Sequence, residues 1–257
     1  MEAAAGKGLV CQHNSRMSTV AESLSLAARL AWEGDVQLWR VVGLSLRVSL
    51  AACALGGLFG LALGAWLAVA RFPGRRVAIW LLNTSLAMPS VVVGLLVYLL
   101  LSRAGPLGAW GLLFTPGAMV LAQAILVLPL VAALTRRLAQ DALAAGGEQL
   151  RSLGAGPFTV ATLMLLHERR AVLTIGLTAF GRAVSEVGAV MVVGGNIDGV
   201  TRVMTTAIAL ETSRGDLALA LALGGVLLAV VALLHLFIAT LHGASGMTTA
   251  QRQAETA

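Results

Sequence analysis

Five long apolar runs divide the chain, at residues 48–70, 77–101, about 116–134, about 171–194 and about 217–241. Each reaches the roughly twenty residues that a helix needs to cross a bilayer. The runs are continuous and do not alternate apolar with polar positions, which excludes a transmembrane β-barrel. The pattern therefore predicts an all-α polytopic membrane protein with about five transmembrane helices. The segment 19–33, TVAESLSLAARLAWE, is too polar to span. Its Val20, Leu24, Leu26 and Leu30 predict an amphipathic helix lying at the interface. Residues 1–16 lack the apolar core and small-residue cleavage site of a signal peptide. Their texture differs from the rest, and translation is expected to begin at Met17. The resulting organisation is an N-terminal extension with the interfacial helix over 1–40, a membrane domain over 41–242, and a short polar tail over 243–257.

Composition supports lipid as the solvent. Apolar residues make up 58% of the chain and charged residues only 12%, half or less of the share in a soluble domain. Cations exceed acids by six, but they gather in short loops, so topology explains the excess and nucleic acid does not. The loop 71–76 carries Arg71, Arg75 and Arg76; the loop 135–170 carries Arg136, Arg137, Arg151, Arg169 and Arg170. The loop 102–115 has Arg103 alone, and Arg202 and Arg214 in 195–216 are offset by Asp198, Glu211 and Asp216. Positive-inside bias places 71–76 and 135–170 in the cytoplasm, with the N-terminus outside and the C-terminus inside. Arg16, Arg29 and Arg40 pull against that orientation. Two cysteines and four histidines give no metal-ligand spacing, and no constellation for covalent catalysis is present. His235, inside the last run, reads as a satisfied polar contact.

Several residues inside the runs are costly in lipid. Gly56, Gly60 and Gly64 repeat every four positions and predict a face for close helix packing, within one subunit or across a dimer seam. Pro89 and Pro129 each remove a backbone hydrogen bond and predict kinks. Asn83, Thr84, Ser85 and Ser90 surround the first proline and Gln123 precedes the second; polar groups this deep face protein or a water-filled path. Arg182 and Glu186 stand mid-run at i, i+4, on one face of a helix. They either lock the fourth helix in place or border a path and gate. Gly181, Ala183, Ser185, Gly188 and Ala189 around them are small enough for another helix to approach. Beyond them, GGNIDG with Asn196 reads as a flexible outer loop, 203–212 as a short helix, and Asp216 as the N-cap of the last span. Glu211 and Arg214 read as solvated loop charges.

The loop 135–170 is too apolar and too helical for a linker. Leu138, Leu143, Leu150, Leu153 and Phe158 predict a helix, a break and a second helix. Gly154 supplies a left-handed C-cap and Pro157 opens the next helix. Such a helix-turn-helix at a membrane face reads as a docking knob.

This loop resembles the cytoplasmic EAA loop of permease subunits of binding-protein-dependent ABC importers, E-A-A-x3-G-x9-I-x-L-P. Glu148 and Gly154 match in identity and spacing. Gln149 and Leu150 replace the alanines, Met164 and Leu166 occupy the I and L positions, and His167 replaces proline. The resemblance extends over roughly 40–242, where AMPSVVVGLLVYLLLSRAGPLG, GRAVSEVGAVMVVGGNI and TRVMTTAIALETSRGDLALALALG are similar to the tungstate-type branch of oxyanion importers. The molybdate and sulfate branches are the nearest alternatives. The resemblance implies a type I ABC importer transmembrane domain acting as a homodimer. It implies that Glu148, Gln149, Leu150, Arg151, Gly154 and Pro157 engage an ATPase subunit, and that an extracytoplasmic binding protein delivers substrate. Arg182, Ser185, Glu186, Asn83, Gln123 and Asn196 become candidates for path or gate, with Glu186 ill suited to hold a dianion directly. The only lysine, Lys7, lies outside any Walker A pattern. If transport is ATP-driven, ATP and Mg are expected on a separate ATPase, with no cofactor on this chain; a secondary transporter or a membrane-embedded enzyme remains the alternative on this ground.

Overall fold

The computed structural model describes residues 36–152 and 154–255. The interfacial helix predicted over 19–33 and the expected start at Met17 lie outside these residues. Nine α-helices follow one another among the described residues, with no strand: α1 Val36–Val69, α2 Arg75–Ser85, α3 Ser90–Leu101, α4 Pro116–Ser152, α5 Pro157–His167, α6 Arg169–Val184, α7 Gly188–Gly194, α8 Met204–Arg214 and α9 Leu217–Glu255. A single 3-10 turn, Gly108–Trp110, lies between α3 and α4.

Three of these, α1, α4 and α9, are each long and apolar enough to cross a membrane, and the bent pairs α2–α3 and α6–α7 bring the number of spans to as many as five. The five apolar runs thus correspond to three continuous helices and two broken ones. The continuous helices outrun their apolar runs. At 1.5 Å per residue α1 is about 51 Å long, well beyond a hydrocarbon core of about 30 Å, and it starts a dozen residues before the run. α4 carries on from the membrane through Arg136 and Arg137 to Ser152, and α9 continues into the polar tail.

The two prolines act differently. Pro129 sits inside α4, which runs on as one helix. Pro89 is the N-cap of α3 with extended backbone (ψ 127°). The chain bends there by 103° between α2 and α3, a full break where a kink was expected. The α2 end is closed locally: the Leu86, Ala87 and Met88 N–H groups donate to the Asn83, Thr84 and Ser85 carbonyls, and the Thr84 and Ser85 hydroxyls donate to carbonyls of the turn before. In lipid this matters, because no water satisfies exposed backbone.

The glycine stripe of α1 packs against α4 of the same chain, the most extensive helix pair in the bundle. A Cβ at Gly56 would lie 2.7 Å from the Ala124 carbonyl oxygen, one at Gly60 2.7 Å from Val131 Cβ, and one at Gly64 2.5 Å from the Ala132 carbonyl oxygen. The stripe is therefore an intrasubunit seam. A second seam joins the broken spans: a Cβ at Gly94 of α3 would meet Ala189 Cα at 2.7 Å, and one at Gly188 would meet Val91 and the Ser90 hydroxyl. Gly57 faces open space. Gly64→Ala is accordingly expected to destabilise the purified protein by about 1–3 kcal/mol through overpacking. Gly57→Ala, on the same helix, is expected to leave the thermal midpoint unchanged or slightly raised. Thermal unfolding in detergent compares them.

Candidate functional site

The fourth span does not continue through the charged pair. α6 ends at Val184 and α7 begins at Gly188, with a bend of 59° between their axes. The i, i+4 relation between Arg182 and Glu186 therefore straddles a break and does not lie on one helical face, which corrects the sequence expectation. No proline causes the break. The last turn of α6 tightens to an i, i+3 bond, with the Glu186 N–H donating to the Ala183 carbonyl at 3.1 Å, as helix ends commonly do.

Glu186 gathers the groups that the break leaves open. Its Oε2 accepts a hydrogen bond from the Arg182 guanidinium at 2.7 Å, and its Oε1 accepts the Ala189 N–H at 3.4 Å. Its backbone carbonyl accepts the Thr205 hydroxyl of α8 at 2.8 Å. From α4, Gln123 Nε2 donates to the Ala183 carbonyl at 2.9 Å. Gln123, Arg182 and Glu186 share one small cleft with Leu126, Val127 and Ala183. The two charges are not equivalent: within one chain the Glu186 side chain is 4% exposed and that of Arg182 49%. The buried member is the carboxylate, with a donor on each oxygen, while the arginine faces outward. The Gln123 Oε1 is buried with no partner among the described residues.

Of the six residues expected at a path or gate, three thus meet at the break. Ser185 is adjacent and exposed, its hydroxyl donating to the Gly181 carbonyl. Asn83 lies exposed on α2, outside this cleft. Asn196 belongs to the end of the bundle away from the loops 71–76 and 135–170, where the loop after α7 is stapled by hydrogen bonds and is more ordered than the glycine-rich sequence suggested. Asn196 takes a left-handed backbone (φ 51°) and its Nδ2 donates to the Thr206 carbonyl. The Thr201 hydroxyl donates to the Gly194 carbonyl at 2.5 Å and accepts the Ile197 N–H at 2.9 Å. Phe114, also left-handed (φ 62°), donates its N–H to the Val193 carbonyl and so ties the loop 102–115 to the same corner. Glu211 is buried on α8 and paired with Arg214 at 3.2 Å, where a solvated charge was expected. Asp216 Oδ1 accepts the Leu219 N–H, the N-cap foreseen for the last span. His235 Nδ1 bonds the Val231 carbonyl of its own helix.

At the opposite end, the helix-turn-helix forms as the sequence predicted. Glu148, Gln149, Leu150 and Arg151 lie on the final turns of α4, Gly154 is left-handed (φ 83°), and Pro157 opens α5. Val160 and Ala161 are buried, whereas Phe158, Leu163 and Leu166 are exposed. The turn sits beside the end of α1, with Val69, Ala70 and Arg71 facing Ala155, Pro157 and Phe158 across a cleft. Arg75 closes the α1 terminus by donating to the Leu67 carbonyl at 2.9 and 3.1 Å, a cation at a helix C-terminus.

Comparison with known proteins places these features in context. The chain is 43% identical to the tungstate uptake system permease protein TupB of Peptoclostridium acidaminophilum over 218 residues, 83% of this chain and 94% of that one. It is 40% identical to a probable anion ABC transporter permease protein of Haloferax volcanii over 206 residues, 77% and 89% of the two chains. With the molybdenum transport system permease protein ModB of Escherichia coli K12 it shares 34% identity over 194 residues, 69% and 82% of the chains. No family model matches the chain.

The unequal burial of the charged pair has a measurable consequence. Arg182→Ala strands a buried carboxylate, whereas Arg182→Ala combined with Glu186→Ala does not. Since Arg182 is half exposed, the single substitution is expected to cost about 1–2 kcal/mol, and the double substitution less than the sum of the singles. A thermal double-mutant cycle in detergent reads the coupling; strictly additive losses would mean that the two side chains do not interact.

Proposed function

Because the chain belongs to the family of oxyanion ABC transporter permeases, we propose that it is the membrane subunit of an ATP-driven importer whose cargo is tungstate. Two copies form the translocation path at their interface. A separate ATPase binds ATP and Mg and docks on the helix-turn-helix of α4 and α5. An extracytoplasmic binding protein delivers the oxyanion to the other end. The protein sits in the cell's inner membrane with the arginine-rich loops 71–76 and 135–170 in the cytoplasm, and it performs no covalent chemistry itself.

The observation that carries this reading is the knob formed by 148–167. A short helix with exposed Phe158, Leu163 and Leu166, held on the long α4, offers apolar side chains at the end of the bundle where the cations gather. An apolar ridge beside water favours a partner, and α4 connects it directly to Gln123 at the break of the fourth span. In this reading closure of the ATPase draws the two knobs together, and α4 carries the displacement to the Gln123–Ala183 contact. The Arg182–Glu186 pair belongs to the gate and does not bind cargo, since Glu186 repels a dianion. The tungstate assignment rests on the greater identity to the tungstate permease (43%) than to the molybdenum permease (34%). Molybdate and sulfate are the alternatives.

Two experiments test it. Gly154→Val forces a β-branched residue into a left-handed backbone, which costs of order 1–3 kcal/mol locally, and Glu148→Ala alters the matching loop position. Both are expected to lower uptake of tungstate into cells at least about ten-fold, and to reduce co-purification of the ATPase with the membrane subunit, without loss of the membrane subunit itself. Undiminished uptake in both variants would refute coupling through this loop. Calorimetry of the binding protein with tungstate, molybdate and sulfate decides the cargo.

A further inference from the structure

Arginines also gather at the other end of the bundle, where positive-inside bias disfavours them. Arg40 and Arg47 lie seven residues apart on α1, close to one helical face and about 10 Å apart along the axis. Gln37 precedes them on the same stripe, and Gly43 between them has no neighbour within 4 Å of a built Cβ. This face and the loop 198–202 enclose an open groove of about 760 Å³. Arg202 reaches into it from the opposite wall with its side chain only 11% exposed. One of its terminal nitrogens bonds Asp198 at 3.2 Å, and its Nε is buried with no partner among the described residues. Arg40 and Arg47 form no ion pair among the described residues, and among the described residues that line the groove three cations face one acid.

Depth and lining narrow what fits. α1 exceeds the hydrocarbon core by about 20 Å, which puts its first turns outside the hydrocarbon and Arg47 at the margin, level with headgroups. Trp39, half exposed on the groove wall, stands eight residues, about 12 Å, further out along the helix than Arg47, so the groove runs from the headgroup level outward. Guanidinium forks match tetrahedral oxoanions by paired N–H donors.

We propose that this groove is an oxoanion-binding site, distinct from the break in the fourth span, that takes a tetrahedral oxoanion group between Arg40, Arg47 and Arg202. The group comes from one of two sources, the phosphate of an anionic phospholipid headgroup or a free tetrahedral oxoanion such as tungstate. The groove is larger than a bare oxoanion requires and has apolar as well as charged walls, which suits a headgroup with the start of its acyl chains.

The test uses the full-length, delipidated protein titrated in native mass spectrometry with phosphatidylglycerol, phosphatidylcholine and inorganic tungstate in separate arms. The wild-type protein is expected to retain phosphatidylglycerol over phosphatidylcholine if the source is lipid, or tungstate if the source is the free ion. Arg40→Gln and Arg47→Gln are each expected to weaken that binding about five-fold, and together about twenty-five-fold. Arg103→Gln, which removes an arginine outside the groove, is the matched control and is expected to leave it unchanged. Arg202→Lys, which keeps the charge and loses the fork, is expected to weaken binding while preserving the thermal midpoint. The proposal is overturned if neither anion binds in preference to phosphatidylcholine. It is equally overturned if Arg40→Gln with Arg47→Gln binds as the wild type does, or if Arg103→Gln weakens binding as much as they do.

Discussion

A break in a membrane span exposes backbone groups that lipid cannot hydrogen-bond, and Glu186 is where this chain meets that constraint. The residue stands between α6 and α7 and answers both sides of the interruption. Its carboxylate takes Arg182 from the helix before and the Ala189 N–H from the helix after, and its carbonyl takes Thr205 from α8. One turn earlier, Gln123 covers the Ala183 carbonyl from α4. A carboxylate would be costly alone at this depth. Here its charge is matched by a half-exposed arginine and its oxygens fall where donors would otherwise be orphaned. Four helices therefore meet around one buried anion, at the 59° turn.

The turn in the fourth span decides how the rest packs. It lets α7 lie against α3 through the Gly94–Ala189 and Gly188–Val91 contacts, which in turn fixes the short helix beyond the 103° break at Pro89. The α1–α4 pair, joined at the glycine seam, is the continuous partner on which both bent pairs pack. α4 runs from Gln123 at the anion to the apolar knob at 148–167, so one unbroken helix joins the residue pair to the surface proposed for a partner. Small displacements at a packed seam are transmitted, because interiors of this density do not deform continuously.

Much of this was legible in the sequence, for identifiable reasons. Apolar run lengths located the three long helices and the two bent pairs, since lipid imposes length directly. Gly154, Pro157 and Asp216 marked helix ends, because backbone geometry and missing donors are local properties that neighbours do not alter. The glycine stripe announced close packing but not its partner; only the fold could choose α4 over a second subunit. The break at 185–187 was not legible. Hydropathy is continuous across it, and no proline marks it. The side chains that bond its open carbonyls, Thr205 and Gln123, stand nineteen and sixty positions away in the sequence. Glu211 misled for the same reason, since its burial and its pairing with Arg214 are tertiary facts. The arginine groove combines residues 40 and 202, which no local pattern associates.

If Glu186 holds the break closed, hydrogen exchange reads it directly. Amide exchange would be followed residue by residue in the intact protein and in Glu186→Gln, which keeps the shape and loses the charge. Faster exchange confined to 185–191 and 203–207, with the α1–α4 seam protected as before, is the predicted result, because a segment opens locally once the bonds that pin it are weakened. Unchanged exchange at 185–191 would contradict it and would make the pair a bystander to the turn.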